Sequence, residues 1–287
     1  MSVTVEEIAV ARALTPTGGF LRGFTHTLNT YGGCAFACTY CYVQELPVAR
    51  YSPLAGQGWG TWARPKINLP GLLRAELERL AARGKLHTLR IFMSSATDPY
   101  QPLERRYELT RRCLELLAEF PPGWLVVQTR SPLVARDLGL LQRLGRRAMV
   151  SVTVETDSEE VRRAISPRAP SLPRRHAAMA QLRAAGVYVQ AAISPLLPCD
   201  PRRLAAQLAP LCDRALLDTY VLGDGAGGKR TARLGIPELY ARLGWGDWRH
   251  PPLHAVADAL IEHLGPERVV WSQAGFTTLP PGYGAVP

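Results

Sequence analysis

From residue 72 onward, runs with helical spacing alternate with short runs rich in β-branched residues. No other feature limits the fold as much, because strands alternating with helices of about 10–15 residues build βαβ units and a parallel sheet. Helical spacing covers Leu72 to Ala82, Leu103 to Phe120, Leu133 to Leu144, Glu159 to Ile165, Arg174 to Ala185, Pro201 to Leu211 and Leu253 to Leu264. Gly186 stands where a C-terminal cap belongs. Strand-like runs cover Phe24 to Thr30, Thr88 to Met93, Trp124 to Thr129, Ala148 to Val154, Val187 to Ile193, Ala215 to Leu222 and Val269 to Ser272. Counted from the first of these, they make roughly six β/α units. A closed eight-unit barrel takes about 250 residues for the repeats alone. With loops this long, the expected fold class is α/β, an open, partial (β/α)6 TIM-type barrel with a parallel sheet. We expect one domain over 1–287, with a lead-in at 1–23, a barrel core at 24–222 and a C-terminal segment at 223–287 covering the barrel. Residues 46–70 hold several Pro and Gly with Trp59 and Trp62. They read as a long irregular excursion, of the kind that forms a lid or a substrate wall.

Three of the 6 cysteines fall within one short stretch, Cys34-Ala35-Phe36-Ala37-Cys38-Thr39-Tyr40-Cys41. Thiolates spaced C-x3-C-x2-C on a tight loop suit three irons of a four-iron cluster and leave the fourth iron open. A zinc site, or a disulfide with a spare thiol, is the other reading. Structural zinc takes four ligands, often from two C-x-x-C pairs, and no second pair is present. Cys113 falls on the apolar stripe of its helix and Cys212 ends one, so both read as structural.

The octet resembles the cluster loop of the radical SAM superfamily, which commonly reads C-x3-C-x-aromatic-C. The longer stretch from Leu28 to Tyr42 is similar to the spore photoproduct lyase-like branch, which tends to read N-P-Y-x-G-C-x-x-x-C-x-x-C-Y. Thr30 departs from that pattern, where the branch usually has proline. The resemblance implies a [4Fe-4S] cluster on Cys34, Cys38 and Cys41, with S-adenosylmethionine (SAM) on the open iron. It implies reductive cleavage of SAM to a 5′-deoxyadenosyl radical, which abstracts a hydrogen atom from a substrate. It also implies a partial barrel and an external one-electron reductant of flavodoxin or ferredoxin type.

In parallel β/α barrels, functional groups gather at the C-terminal ends of the strands. That rule places Ser94, Ser95, Asp98, Thr129, Arg130, Ser151, Thr153, Glu155, Ser194, Cys199 and the 223–229 loop around one mouth with the cysteines. Arg130 is expected at the SAM carboxylate, because lyase-like relatives tend to have a basic residue there and a guanidinium offers a planar fork of donors. Ser94 and Ser95 are expected at the amine, and Ser151, Thr153 and Glu155 at the ribose or carboxylate. Tyr40 and Tyr42 are expected near the adenine and the cluster. Photoproduct lyases proper have a cysteine in the turn matching Ser94-Ser95-Ala96-Thr97-Asp98, and it returns a hydrogen atom to the substrate radical. Ser95 matches that position here, and its O–H bond is too strong for the task. Either the reaction differs, or another donor serves. Cys199 is the candidate donor, with an ordinary loop thiol as its plainer reading.

The net charge of +10 favours anionic partners, nucleic acid first among them. Of 34 basic residues only Lys66, Lys85 and Lys229 are lysines, an arginine bias that also follows from genomic base composition. Arg168, Arg174 and Arg175 lie in a stretch that resembles the branch. They are candidate phosphate contacts, or a solvated basic helix start. A nucleic-acid substrate is expected, with a peptide or small metabolite as the alternative. Outside radical chemistry stands a nucleic-acid-binding protein with a structural metal. No apolar stretch has membrane-spanning length and no signal peptide is seen, so a cytoplasmic monomer without membrane contact is expected. Gly223 to Lys229 matches G-x4-G-K, but Arg230 stands where a magnesium-binding Ser or Thr is required, so a flexible loop is expected. Pro251 and Pro252 separate His250 from His254, which speaks against a helical metal pair. Trp245 to Arg249 is expected to pack over the barrel rather than stack on bases.

Overall fold

The computed structural model describes residues 3–284. Its strands are β1 (Thr4–Val5), β2 (Leu14–Pro16), β3 (His26–Leu28), β4 (Tyr31–Gly33), β5 (Trp62–Pro65), β6 (Arg90–Met93), β7 (Trp124–Thr129), β8 (Ala148–Thr153), β9 (Tyr188–Ile193), β10 (Arg214–Leu217) and β11 (Val269–Trp271). One sheet of 8 strands runs β11-β10-β9-β8-β7-β6-β3-β2. Every neighbouring pair in it is parallel except β2 with β3. This is the expected α/β partial barrel, with an antiparallel edge strand, β2, inside the stretch we expected to be a plain lead-in.

Alternation along the strands divides the interior in two. Ile91, Met93, Leu125, Val127, Val150, Val152, Val189, Ile193 and Leu217 face the helices. Phe92, Trp124, Val126, Met149 and Leu216 face the other way, where Phe276 of the helix Ser272–Thr277 packs on them. Each fully buried aliphatic side chain contributes roughly 1.5–3 kcal/mol. Burial on both faces is why these strands read as nearly continuous apolar runs.

Several boundaries differ from expectation for identifiable reasons. The helix expected from Leu103 to Phe120 breaks at Glu108, φ +49°, into Glu104–Tyr107 and Leu109–Glu119. The strand expected from Ala215 to Leu222 stops at Leu217, and Thr219 caps a short helix, Tyr220–Gly223, by accepting from Leu222 N. The 46–70 excursion is not irregular throughout. It contains β5, which pairs with β1 and β4 in a 3-stranded sheet. A helix starts at Lys229, where we expected only a loop. Among the described residues, no helix is long and apolar enough to cross a membrane.

Candidate active site

The loop from Cys34 to Cys41 leaves β4 under close constraint. Gly33 has φ +70°, and a Cβ there would fall 2.6 Å from the Trp62 ring. Ala35 N donates to Gln101 Oε1 at 3.0 Å. Ala37 has φ +54° and rests on Gly60, where an added Cβ would lie 2.1 Å from the Ala37 Cβ. Thr39 donates from its amide and its hydroxyl to Ile165 O, at 3.0 and 3.1 Å. The excursion thus backs the loop, and its Trp59 forms part of a wall.

A cavity open to solvent lies at the C-terminal ends of the strands. Cys34, Cys38 and Cys41 line it together with Tyr40, Tyr42, Ser94, Ser95, Arg130 and Thr153. Ser94 ends β6 with φ +91°, a conformation a serine holds only under tertiary constraint. Its amide donates to Leu28 O at 3.0 Å, and its hydroxyl closes the turn on Thr97 O. Ser95 accepts from Tyr42 Oη on its carbonyl at 3.3 Å and from Asn29 on its hydroxyl at 3.0 Å. Asp98 sets the end of β7 by accepting from Thr129 Oγ1 at 2.7 Å and Arg130 N at 2.9 Å. Burial raises its carboxyl against those bonds.

Behind this rim lies a buried ionic network. Glu155, 2% exposed, accepts from Arg130 Nη1 and Arg175 Nη1, each at 2.7 Å, and from Tyr40 Oη. Burial pushes its carboxyl up, but Arg130 and Arg175 overcome this and hold it at about 2. Arg130 also donates to Tyr40 Oη at 3.0 Å through the same Nη1. Its Nη2 and Nε make no hydrogen bond within the protein among the described residues.

Three of the expected site residues do not line the cavity. Glu155 lies behind Arg130 and Tyr40. Ser151 faces the barrel interior, where it accepts from Gln190 Nε2 at 2.8 Å, and Gln190 accepts from Arg214 Nε at 2.6 Å. Cys199 precedes the Asp200 cap of the helix Pro201–Leu208 and packs against the helix-side core. Burial, with Asp157 and Asp200 adding, raises its thiol to about 12. Arg175 is also not the phosphate contact expected of it. It is fully buried and holds Thr153 O as well as Glu155, whereas Arg174 is exposed. The amides of the 223–231 turn are already occupied: Asp224 accepts from Ala226, Gly228, Arg230 and Thr231 N, in the place where a phosphate would need them. Trp248 is buried against Tyr220, and His250 is paired with Asp247.

Asp218 and Tyr220 are among the cavity residues that the sequence reading did not mark. Asp218 lines the cavity just past β10, accepting from Thr219 N at 2.9 Å and Ser194 Oγ at 3.2 Å. Burial raises its carboxyl to about 6. Tyr220 stacks edge-on to Tyr40. Continuing the strand to Leu222 had hidden both, although an Asp-Thr pair after an apolar run is a usable stop signal.

The thiols suit an iron–sulfur cluster. Burial raises Cys34 well above its ordinary value, and it raises Cys41 to about 12 with Cys38 adding. Arg130 is the only cationic side chain lining the cavity among the described residues, so three thiolates need further positive charge, which an iron core carries. Among those residues no three His, Cys, Asp or Glu side chains converge on a single ion. Structural zinc gathers four ligands on one ion, whereas the thiolates of a four-iron cluster sit on different irons.

The fold is shared with solved structures. A spore photoproduct lyase variant with bound AdoMet and dinucleoside spore photoproduct superposes with a TM-score of 0.64 at 14% identity, covering 94% of this chain and 81% of that one. At that identity the likeness is one of fold. An uncharacterized protein of Methanocaldococcus jannaschii is 30% identical over 186 residues, 64% of this chain and 64% of the relative. Another, of Mycobacterium bovis, is 31% identical over 190 residues, 64% of this chain and 54% of the relative. The chain therefore spans less than two thirds of the length of either. The family model described as the radical SAM superfamily matches residues 28–199, which hold the cysteine loop and β6 to β9. The chain belongs to the radical SAM superfamily, and that membership implies a [4Fe-4S] cluster and SAM as cofactors.

Proposed function

We propose that Cys34, Cys38 and Cys41 ligate the cluster and that the cavity beside them takes SAM and the reacting part of a nucleic-acid substrate. One observation carries this reading: three thiols and a single cation, Arg130, share one cavity at the strand ends. When bound, the cluster and SAM supply a 5′-deoxyadenosyl radical that abstracts a hydrogen atom from the substrate. Glu155 and Tyr40 hold one edge of the Arg130 guanidinium, and the other edge is left to grip the SAM carboxylate as a fork. The strained turn at Ser94 and Ser95 offers acceptors to the amine, and Thr153, which lines the same cavity, serves the ribose. Trp59, Phe92 and Phe276 form apolar walls that exclude water from the reacting atoms. An external one-electron reductant completes the cycle.

A nucleic-acid substrate is supported by the fold shared with a lyase that binds a dinucleoside photoproduct, and by the +10 charge. Among the described residues the thiols lining the cavity are the three proposed ligands. Hydrogen return by a protein thiol, Cys199 included, is therefore not part of this reading. Anaerobic reconstitution should load about four irons per chain, and dithionite should then drive formation of 5′-deoxyadenosine. Cys38→Ala should abolish both. A wild-type protein that binds no iron, or cleaves no SAM, sinks the proposal. Turnover indifferent to every DNA and RNA tried, yet raised by a peptide, sinks the substrate assignment alone.

A further inference from the structure

The cysteine loop is one residue thick. Cys38 and Tyr40 are buried and line the cavity, while Thr39 between them is exposed. At Thr39 the loop that carries the cysteines therefore meets solvent on the side away from the cavity. Arginines from three other places surround this outer face. Arg163, 70% exposed, belongs to the helix Glu159–Ile165, whose Ile165 carbonyl holds Thr39. Arg168 is exposed and donates to Gly60 O at 2.6 Å, and Gly60 rests on Ala37 of the loop. Arg233, 65% exposed, lies 3.5 Å from Glu45, just beyond Cys41. Of the nearby acids, Glu45 is paired with Arg233, Glu159 with Arg162 and, at 3.8 Å, with Arg163, while Glu160 is exposed. With Arg162 counted, four arginines stand against three glutamates, so the rim carries one net positive charge. The next segment along the chain carries Val48 and Tyr51, 55% and 84% exposed.

We propose that this face is the docking surface for an acidic one-electron carrier protein of flavodoxin or ferredoxin type. The inference rests on the cluster assignment above. An acidic carrier complements the three arginines, and rim charges of this kind set association rate and salt dependence. A phosphate backbone is the other anion these arginines would attract. None of the three lines the cavity, however, and they stand on the loop's outer side, which favours the carrier.

The test titrates a flavodoxin onto the cluster-loaded protein and follows bleaching of the cluster by reduced flavodoxin and, separately, by dithionite. The Arg163→Glu/Arg168→Glu variant is expected to weaken flavodoxin binding about tenfold or more, to slow flavodoxin-driven bleaching in proportion, and to leave dithionite bleaching unchanged. Wild-type binding should weaken as salt is raised. Arg233→Glu, on a separate element, carries the same expectation and guards against local distortion of the helix Glu159–Ile165. Unchanged flavodoxin binding in both variants overturns the proposal, as does a loss confined to DNA binding. If the wild type takes up no cluster, the proposed function fails, while flavodoxin titration of the protein as purified still decides the docking surface.

Discussion

Glu155→Gln tests the network that positions Arg130. The carboxylate accepts from two guanidinium groups and a phenol and is almost fully buried. The amide offers a single neutral acceptor to the same three donors. Breaking a buried pair by removing one charge costs about 3–5 kcal/mol, because the partner stays buried and unpaired. A second route gives a similar figure: a carboxyl held at about 2 rather than at its ordinary 4.5 corresponds to roughly 3 kcal/mol of folding free energy. We expect the variant to lose about 3 kcal/mol in urea unfolding of the metal-free protein at pH 7. The folded carboxyl is the more acidic one, so its contribution is complete above the unfolded value and fades as pH falls through the folded value. The deficit of the variant should therefore stay constant from pH 7 to about 5 and shrink from about 4.5 towards about 2. SAM binding should weaken as well, because Arg130 loses its anchor. A loss below about 1 kcal/mol at pH 7, the size of an exposed pair, or a deficit that does not shrink in acid, would refute the reasoning.

Asp218 carries the opposite sign. Burial raises its carboxyl to about 6, so the charged form costs folding energy that accrues as pH rises from about 4 to 6. Asp218→Asn should raise stability by about 1–3 kcal/mol at pH 8 and by little at pH 4; thermal unfolding showing the same change at both values would rule this out. Gly60→Ala meets both a positive φ and the Ala37 Cβ, and should destabilise by about 2 kcal/mol or more while lowering iron uptake. Adding Ala37→Gly, at a position whose own φ is +54°, should restore part of that loss; a strictly additive double-mutant cycle would show that the two residues are not in contact.

The barrel was legible because its signals are local. Trp124 to Thr129 and Glu159 to Ile165 have the expected bounds, since a two-sided apolar run and a Ser158 cap each state their own limits. The cysteine loop was legible for the same reason. Short strands that depend on distant partners were not: β2 ends in Pro16 and β5 in Pro65, and neither alternates long enough to stand out. Arg174 and Arg175 show the limit for site residues. They are neighbours in sequence and identical in chemistry, yet one is exposed and the other fully buried. Their difference lies in the turn of the helix Leu172–Ala184 that faces Glu155, a carboxylate about 20 residues back in the chain. No local pattern encodes that pairing.

The same burial alters what the net charge means. Arg162, Arg175 and Arg214 are buried and hold backbone carbonyls and side-chain partners, so part of the +10 never reaches a ligand. The cavity runs against the sign of the whole molecule. Arg130 is its only cation among the described residues, while Asp98, Asp218 and Asp224 line it too. Asp98 is taken up by Tyr100 N, Thr129 Oγ1 and Arg130 N, and Asp224 by amides of its own turn, which leaves Asp218 as the carboxylate with acceptor capacity to spare. If Arg130 is committed to the SAM carboxylate, a phosphate inside the cavity would have no cation and would face Asp218. The part of the substrate that meets the radical must then be uncharged or a hydrogen-bond donor. Any phosphates it carries would then stay outside the cavity.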